Sequence, residues 1–514
     1  MVVKAVEISR RALVLGAVLS ILSVLAGPAL YASGAHWRVC KVHPWVECNA
    51  EQLPSHLTQV ADKIDLSGPR NDWLTGAVAI AADENSTVTV SLEDSKPLKG
   101  KVQIRVVGQV VNRDSREIVW DPLVAREDLP EKATHAKNFE QIKDFPTLHV
   151  TPKIPAFLWL TVDLRGAKSG DYKARLKFAD AEGNVTFVPI SISVFDAELP
   201  VDNPLYCIGW QWTNSPKMVR DFVDHGINAA WRDHEMAWKN GARFLLFQFS
   251  PSFSRKPIDD EQIREVKKQL DEIWALVDRL KVPRDQWAIN PADEPSDKTS
   301  DIDLDYAKLI KSIRPDTPLW YDPAWGKLAD SNQNWTTTNG TLKPLAPVTS
   351  VFCPYCWHLW DDTGAIDFMR QTGKPIWSYE ILPSSADRHP TVGKEALRKM
   401  PWMAWKYRLK GVGYYAANAT SNDVWDDLAP GVDGYANYSF TYPGANGIMS
   451  SRGFEAVRQG FQEYKRLYAL RKLGADLKTL DAWANDGCSA SSVETYDKLR
   501  TEMDRKLVEI SKSK

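Results

Sequence analysis

The sequence predicts a multidomain chain, an N-terminal β-sandwich followed by a (β/α)8 TIM barrel. Short alternating apolar segments crowd residues 53–195, a proline-rich break follows at 199–204, and beyond it strand-like and helix-like segments take turns. The chain has 514 residues, 44% hydrophobic and 25% charged, enough for two or three domains that each bury a core. Its formal net charge is −2 and no long basic run is present, which argues against nucleic acid as a partner.

Residues 1–35 read as a targeting segment. Lys4, Arg10 and Arg11 form a positive start, residues 12–30 are almost uninterruptedly apolar, and Ser33-Gly34-Ala35 offers small residues for cleavage. The adjacent arginines resemble the start of a twin-arginine signal. Export to the periplasm, the cell surface or the medium is the expectation. An uncleaved N-terminal anchor is the alternative, and it is the one membrane contact expected. In an oxidising compartment Cys40 and Cys48 could close a small loop. Cys353-Pro354-Tyr355-Cys356 looks like a glutaredoxin redox motif, but an aromatic loop follows it instead of a helix. Ordinary loop cysteines or a local disulfide are expected there.

The sandwich is expected over 36–200, with strands at 87–92, 102–107, 159–164 and 187–194 separated by Gly and Asp turns. Leu199-Pro200-Val201-Asp202-Asn203-Pro204 reads as the linker. The barrel is expected over 201–475, with strands at 205–212, 229–232, 243–249, 286–290, 318–322, 350–354, 375–379 and 411–416. Helices are expected at 215–225, 260–280, 304–313, 365–372, 394–410 and 453–473. In 260–280, Ile263, Val266, Leu270, Ile273 and Trp274 recur every three or four residues, with charged residues between them. A helical extension is expected over 476–514, its helix at 492–511 packing outside the barrel.

A barrel of this kind places its chemistry at the C-terminal ends of the strands. After the fourth lies Asn290-Pro291-Ala292-Asp293-Glu294-Pro295. Adjacent side chains on a strand face opposite ways, so both carboxylates address one pocket only where the backbone has left the strand, as the two prolines favour. A solvated acidic turn is the competing reading. The other strand ends supply Trp212, Tyr321, Asp322, Trp325, Tyr355, Trp357, Trp377, Tyr379, Glu380, Tyr415 and Trp425. Aromatic faces with carboxylates and amides suit sugar rings, though each aromatic singly reads more readily as core. The chain carries 21 Trp, and those inside predicted helices, such as Trp274, Trp402 and Trp405, read as packing.

Beyond the export segment the chain resembles glycoside hydrolase family 123. The resemblance rests on Trp159-Leu160-Thr161-Val162-Asp163, Gly170-Asp171-Tyr172, Val194-Phe195-Asp196, Asp293-Glu294-Pro295, Tyr442-Pro443-Gly444, Ser451-Arg452 and Arg458 with Gly460, in that order. It implies a sandwich, a catalytic barrel and retaining β-N-acetylgalactosaminidase activity assisted by the substrate's acetamido group. Asp293 would then stabilise the acetamido group and Glu294 act as general acid and base. Trp377-Ser378-Tyr379-Glu380 leaves a second mechanism open, with Glu380 as an enzymic nucleophile and Glu294 as acid/base, in the manner of clan A glycosidases. A catalytically silent carbohydrate-binding surface protein is the reading from another class. A carbohydrate is the expected partner, and no metal or organic cofactor is implied, because no ligand cluster, Walker loop or dinucleotide fingerprint is present.

Overall fold

The computed structural model describes residues 35–46, 48–94, 100–111, 117–253, 255–295, 299–323, 342–356, 363–381, 394–418, 425 and 439–513. The expected export segment lies outside them, apart from its last residue. No helix among the described residues is long and apolar enough to cross a membrane.

Ten strands come first. β1 (Trp37–Lys41), β3 (Trp73–Ala82), β5 (Val102–Val111), β6 (Ile118–Val124) and β8 (Ala156–Asp163) form one sheet in the order β1-β3-β8-β5-β6. β2 (Ile64–Arg70), β4 (Ser86–Asp94), β7 (Thr147–Val150), β9 (Gly170–Asp180) and β10 (Val185–Glu198) form a second, in the order β2-β10-β9-β4-β7. The period-two pattern read in the sequence sets the faces. Val188, Ile190, Ile192 and Val194 of β10 point into one apolar core shared with Leu158, Leu160 and Val162 of β8. The first sheet is buried on its other face as well: Phe157 and Trp159 alternate with those aliphatics and join the core of the C-terminal unit. There Trp159 meets Trp45 edge-on, with ring centroids 5.1 Å apart.

Eight parallel strands follow. β11 (Tyr206–Ile208), β12 (Ala229–Ala230), β13 (Phe244–Gln248), β14 (Trp287–Asn290), β17 (Trp377–Ile381) and β18 (Gly411–Tyr415) form a curled sheet in the order β14-β13-β12-β11-β18-β17. β15 (Trp320–Tyr321) and β16 (Val351–Phe352) pair with each other. Isolated parallel bridges, Ile289 to Leu319 on one side and Phe352 to Ile376 and Tyr355 to Tyr379 on the other, link that pair to β14 and β17. The strands therefore neighbour one another in chain order, with β18 beside β11, although β11, β12, β15 and β16 are shorter than the sequence predicts.

Local chemistry fixes the helices between them. Ser215 accepts a hydrogen bond from the Met218 N–H and Pro216 opens the helix Pro216–Asp224. Asp259 caps Asp260–Arg279 through the Gln262 N–H, and that helix buries Val266, Leu270, Ile273, Trp274 and Val277. Ile263, expected on the same stripe, is 40% exposed because it lies in the first turn, ahead of the packed part. Helix His234–Lys239 was not legible, being short and without a side-chain cap.

The Ser451-Arg452 pair ties the two units together. Ser451 caps the helix Arg452–Lys472 by accepting from the Phe454 N–H. Arg452 donates to the carbonyls of Pro44, Val46 and Trp120, all from the N-terminal unit. The last helices, Leu477–Ser489 and Val493–Lys512, pack on Arg452–Lys472 and on Lys394–Tyr407 around Trp402, Leu467, Leu480 and Tyr496. None of the six cysteines is in a disulfide, so the expected loop between Cys40 and Cys48 and the pairing of Cys353 with Cys356 are not formed. Cys40 is instead wholly buried in the apolar core beside Trp45.

Candidate active site

Strand β14 ends at Asn290, whose side-chain oxygen accepts from the Ala292 N–H at 3.1 Å and turns the chain out of the sheet. Asp293 and Glu294 follow on that turn, both accessible to solvent. Glu294 adopts φ 44°, a left-handed conformation that costs a glutamate energy and is held by its surroundings. From the loop after β13, Arg255 donates to the Asp293 backbone carbonyl at 2.7 Å and to Asp303 of the Ser300–Ile313 helix at 3.1 Å. The turn is thus pinned from behind, and the two carboxylates are released from strand alternation.

A third carboxyl lies beneath them. Asp322, just after β15, is 2% exposed, and its Oδ1 accepts from Asn290 Nδ2 and from the Glu294 N–H, each at 3.4 Å. Burial, and then the charges of Asp293 and Glu294, raise its pKa well above the usual carboxylate range. Its surroundings disfavour the charged form. Burial also raises Asp293, against the opposing pull of Arg255. Glu294 is raised by burial and by Asp293, while a hydrogen bond from Tyr379 pulls it down. That bond runs from the Tyr379 hydroxyl to Glu294 Oε1 at 2.7 Å.

Glu380 stands next to Tyr379 on β17 but in a different setting. It is 3% exposed; Tyr355 donates to its Oε1 at 3.0 Å and the Cys356 thiol to its Oε2 at 2.7 Å. Since β17 runs on to Ile381, successive side chains oppose each other, and Glu380 points away from the face that Tyr379 presents to Glu294.

Aromatic rings gather around Tyr379. Trp210, at φ 41°, packs against Tyr379, Tyr415 and Trp320 with centroids 5.4, 6.0 and 6.2 Å away. Tyr355 adds a ring 5.4 Å from Tyr379. Trp212, two residues beyond Trp210, is 41% exposed and is fixed by Asn418, which accepts from its N–H at 2.9 Å and donates to its carbonyl at 2.8 Å.

Three of the aromatics expected on this face lie elsewhere. Trp377 opens β17, opposite Gly411 and against Tyr206 and Phe244, so it fills the N-terminal end of the strands. Tyr321 is 1% exposed and faces the helix layer, its hydroxyl toward the Asp303 carbonyl, because its neighbour Asp322 takes the inward direction. Trp425 is 4% exposed and packs on Tyr442 within the core of the N-terminal sheets. Trp325 and Trp357 lie outside the described residues. Tyr355, Tyr379, Tyr415, Asp322, Asp293 and Glu294 are brought together. The sequence reading missed Arg255 and the turn-forming role of Asn290; an Asn directly before a Pro at a strand end was the available signal for the latter. Among the described residues no group of three or more His, Cys, Asp or Glu is arranged to hold a metal ion.

The fold resembles that of a family 123 glycoside hydrolase from Clostridium perfringens, studied for glycolipid glycan hydrolysis. The TM-score is 0.63 at 11% identity over 93% of this chain and 98% of that one. A family 39 glycoside hydrolase from Bacteroides cellulosilyticus WH2 aligns over 78% of this chain and 81% of its own with a TM-score of 0.38 and 11% identity, too loosely to carry weight. A catalase-peroxidase of Aeromonas salmonicida (strain A449) is 27% identical over 156 residues, 29% of this chain, which spans only 19% of that relative's length. No family model matches the sequence.

Proposed function

We propose that this chain is a glycoside hydrolase that removes β-linked N-acetylhexosamine, N-acetylgalactosamine first among them, with retention of configuration. In this reading residues 201–475 are a complete (β/α)8 catalytic barrel, 36–200 a sandwich that braces it, 476–514 a helical extension, and the protein is exported. The observation that carries it is the open Asp293–Glu294 pair on a strained turn at the end of β14, with the Tyr379 hydroxyl on Glu294. The shared fold with a family 123 glycoside hydrolase supports it.

The acetamido oxygen of the substrate attacks the anomeric carbon while the bond to the leaving oxygen breaks, and Glu294 gives that oxygen its proton. Asp293 takes the acetamido N–H and stabilises the positive charge of the cyclic intermediate. Glu294, now a carboxylate, removes a proton from water, which attacks the anomeric carbon and reopens the ring. Partial desolvation of Glu294 by the pocket walls, and then the charge of Asp293, favour the protonated form that the first step needs, against the pull of the Tyr379 hydrogen bond. Surroundings that disfavour charge on Asp322 leave Asp293 and Glu294 as the solvent-accessible carboxyls of the pocket. The rival mechanism needs Glu380 as nucleophile, and both its oxygens are already engaged by Tyr355 and Cys356.

The test is hydrolysis of an aryl β-N-acetylgalactosaminide beside the matching β-galactoside, which lacks the acetamido group. Glu294→Gln and Asp293→Asn are each expected to lose about 10²–10⁴-fold in kcat/KM, and the galactoside to be a poor substrate. Full activity in Asp293→Asn, or equal turnover of both substrates, overturns the mechanism.

A further inference from the structure

A cavity of about 170 Å³ lies at the end of the parallel strands opposite Glu294, where the N-terminal sheets, the segments leading into β11, β12 and β13, and the helix Arg452–Lys472 meet. Arg458, Gln462 and Lys465 project into it from that helix at i, i+4 and i+7, one face by spacing. They are 5%, 3% and 6% exposed. Arg165 and Arg243 also line the cavity but are matched, Arg165 by Asp163 and Asp224 and Arg243 by Asp202.

Of the three helical side chains, Lys465 has no ion-pair partner, Gln462 is left with an unpartnered oxygen, and Arg458 shares its one carboxylate. Lys465 donates to the Val201 carbonyl at 2.8 Å and has no carboxylate within ion-pair distance among the described residues. Arg458 lies 4.2 Å over the Trp73 ring and pairs with Glu455, a carboxylate that also faces Arg105 at 3.9 Å. Asp72, Asp202 and Asp224 act on Lys465 from a distance, the last two from the cavity wall, but each is already paired with arginine: Asp72 with Arg466 and Arg500, Asp202 with Arg243 and Asp224 with Arg165. Gln462 Oε1 is buried without a hydrogen-bond partner. Burial opposes the positive charge of Lys465, lowering its pKa to about 8. A buried ammonium with no ion-pair partner and a buried acceptor without a donor are costly unless something fills the space between them.

We propose that this cavity binds a small phosphate-class oxyanion, its charged oxygens on Lys465 and Arg458 and its protonated oxygen donating to Gln462 Oε1. The anion would bridge the N-terminal sheets to the parallel strands, far from the candidate active site, so the inference does not depend on the proposed reaction. Inorganic phosphate is the probe, at constant ionic strength set with chloride. Calorimetry on the full chain is expected to show saturable binding near one phosphate per chain, with a matching saturable rise in Tm. In Lys465→Met the affinity is expected to fall at least about tenfold, the loss of one charge-assisted hydrogen bond. That variant should melt no lower than wild type in phosphate-free buffer, since it removes a buried unmatched charge; the melting curve also reports whether it has folded. Absence of saturable binding to the wild type, or an undiminished phosphate response in a folded Lys465→Met, overturns the proposal.

Discussion

The Tyr379 hydroxyl donates to Glu294 Oε1 at 2.7 Å, joining the middle of β17 to the turn after β14. A donor at this place stabilises the carboxylate form of Glu294, against the burial that raises it.

Tyr379→Phe removes that donor and leaves the ring contact with Trp210 in place. The pKa of Glu294 then rises, because the one influence lowering it is gone. The proposed first step needs Glu294 protonated, so the alkaline limb of kcat/KM against pH is expected to move to higher pH while the maximum rate falls. A pH profile on an aryl N-acetylgalactosaminide reads both. An alkaline limb that stays put or moves down contradicts the role given to this bond.

Glu380→Gln separates the two glycosidase mechanisms. Its oxygens accept from Tyr355 and Cys356, and an amide places an N–H₂ where one of those donors now points. The expected cost is about 1–3 kcal/mol of stability, seen as a lower denaturant midpoint with unchanged slope. Any lost activity should not return with azide, because the proposed mechanism forms no glycosyl-enzyme bond at this position. Azide rescue would show Glu380 to be the nucleophile.

The strand positions were legible because parallel strands between helices are short apolar runs bounded by turn residues, as in 243–249 and 411–416. The Asp293-Glu294 pair was legible for a similar reason, since prolines mark where the strand must end. Which aromatics face the site was not. Tyr321 and Asp322 differ only by one step of alternation, and a register of two paired residues in β15 gives no pattern long enough to fix the direction. Trp377 and Tyr379 point the same way but sit two residues apart along β17, and that rise carries one to the bottom layer and the other to the reacting end. Trp425 lies where only tertiary structure places it, against Tyr442, whose hydroxyl is held by Asp121 of β6.

Gly460, part of the short Arg458 to Gly460 stretch noticed in the sequence, explains itself through contact. A Cβ there would sit 2.7 Å from the Arg398 carbonyl oxygen and 3.0 Å from the Arg398 Cα, both backbone atoms of the Lys394–Tyr407 helix. Alanine gains up to about 1 kcal/mol in helix propensity, but forcing the two helices apart costs about 1–3 kcal/mol. It would also disturb the buried pair of Arg398 with Glu463, which accepts from Trp402 Nε1 at 2.8 Å as well. Gly460→Ala is expected to lower Tm, and a gain in stability would show that the helices have room to spare.

Asp72 is fully buried at the start of β3 and accepts from the Trp73 N–H at 2.8 Å, from Arg500 at 2.8 Å and from Arg466. Burial works against its charge, but the Arg466 and Arg500 charges overcome this and hold its pKa below the ordinary value. Asp504, sharing the same arginines, goes the other way because burial outweighs them there; Asp72 is the better anchored of the two, with a backbone donor and both guanidinium groups. A carboxylate whose pKa is depressed by folding adds stability above its unfolded value and loses it as pH falls through the folded value. Asp72→Asn leaves Arg466 and Arg500 buried with a single partner, for which about 3–5 kcal/mol is the expected loss at neutral pH. The difference in stability between wild type and variant should shrink below about pH 4, as the wild-type carboxyl takes up its proton. Urea midpoints measured from pH 7 down to pH 3 test this, and a difference that does not change with pH would mean that Asp72 contributes by shape and hydrogen bonding and not by charge.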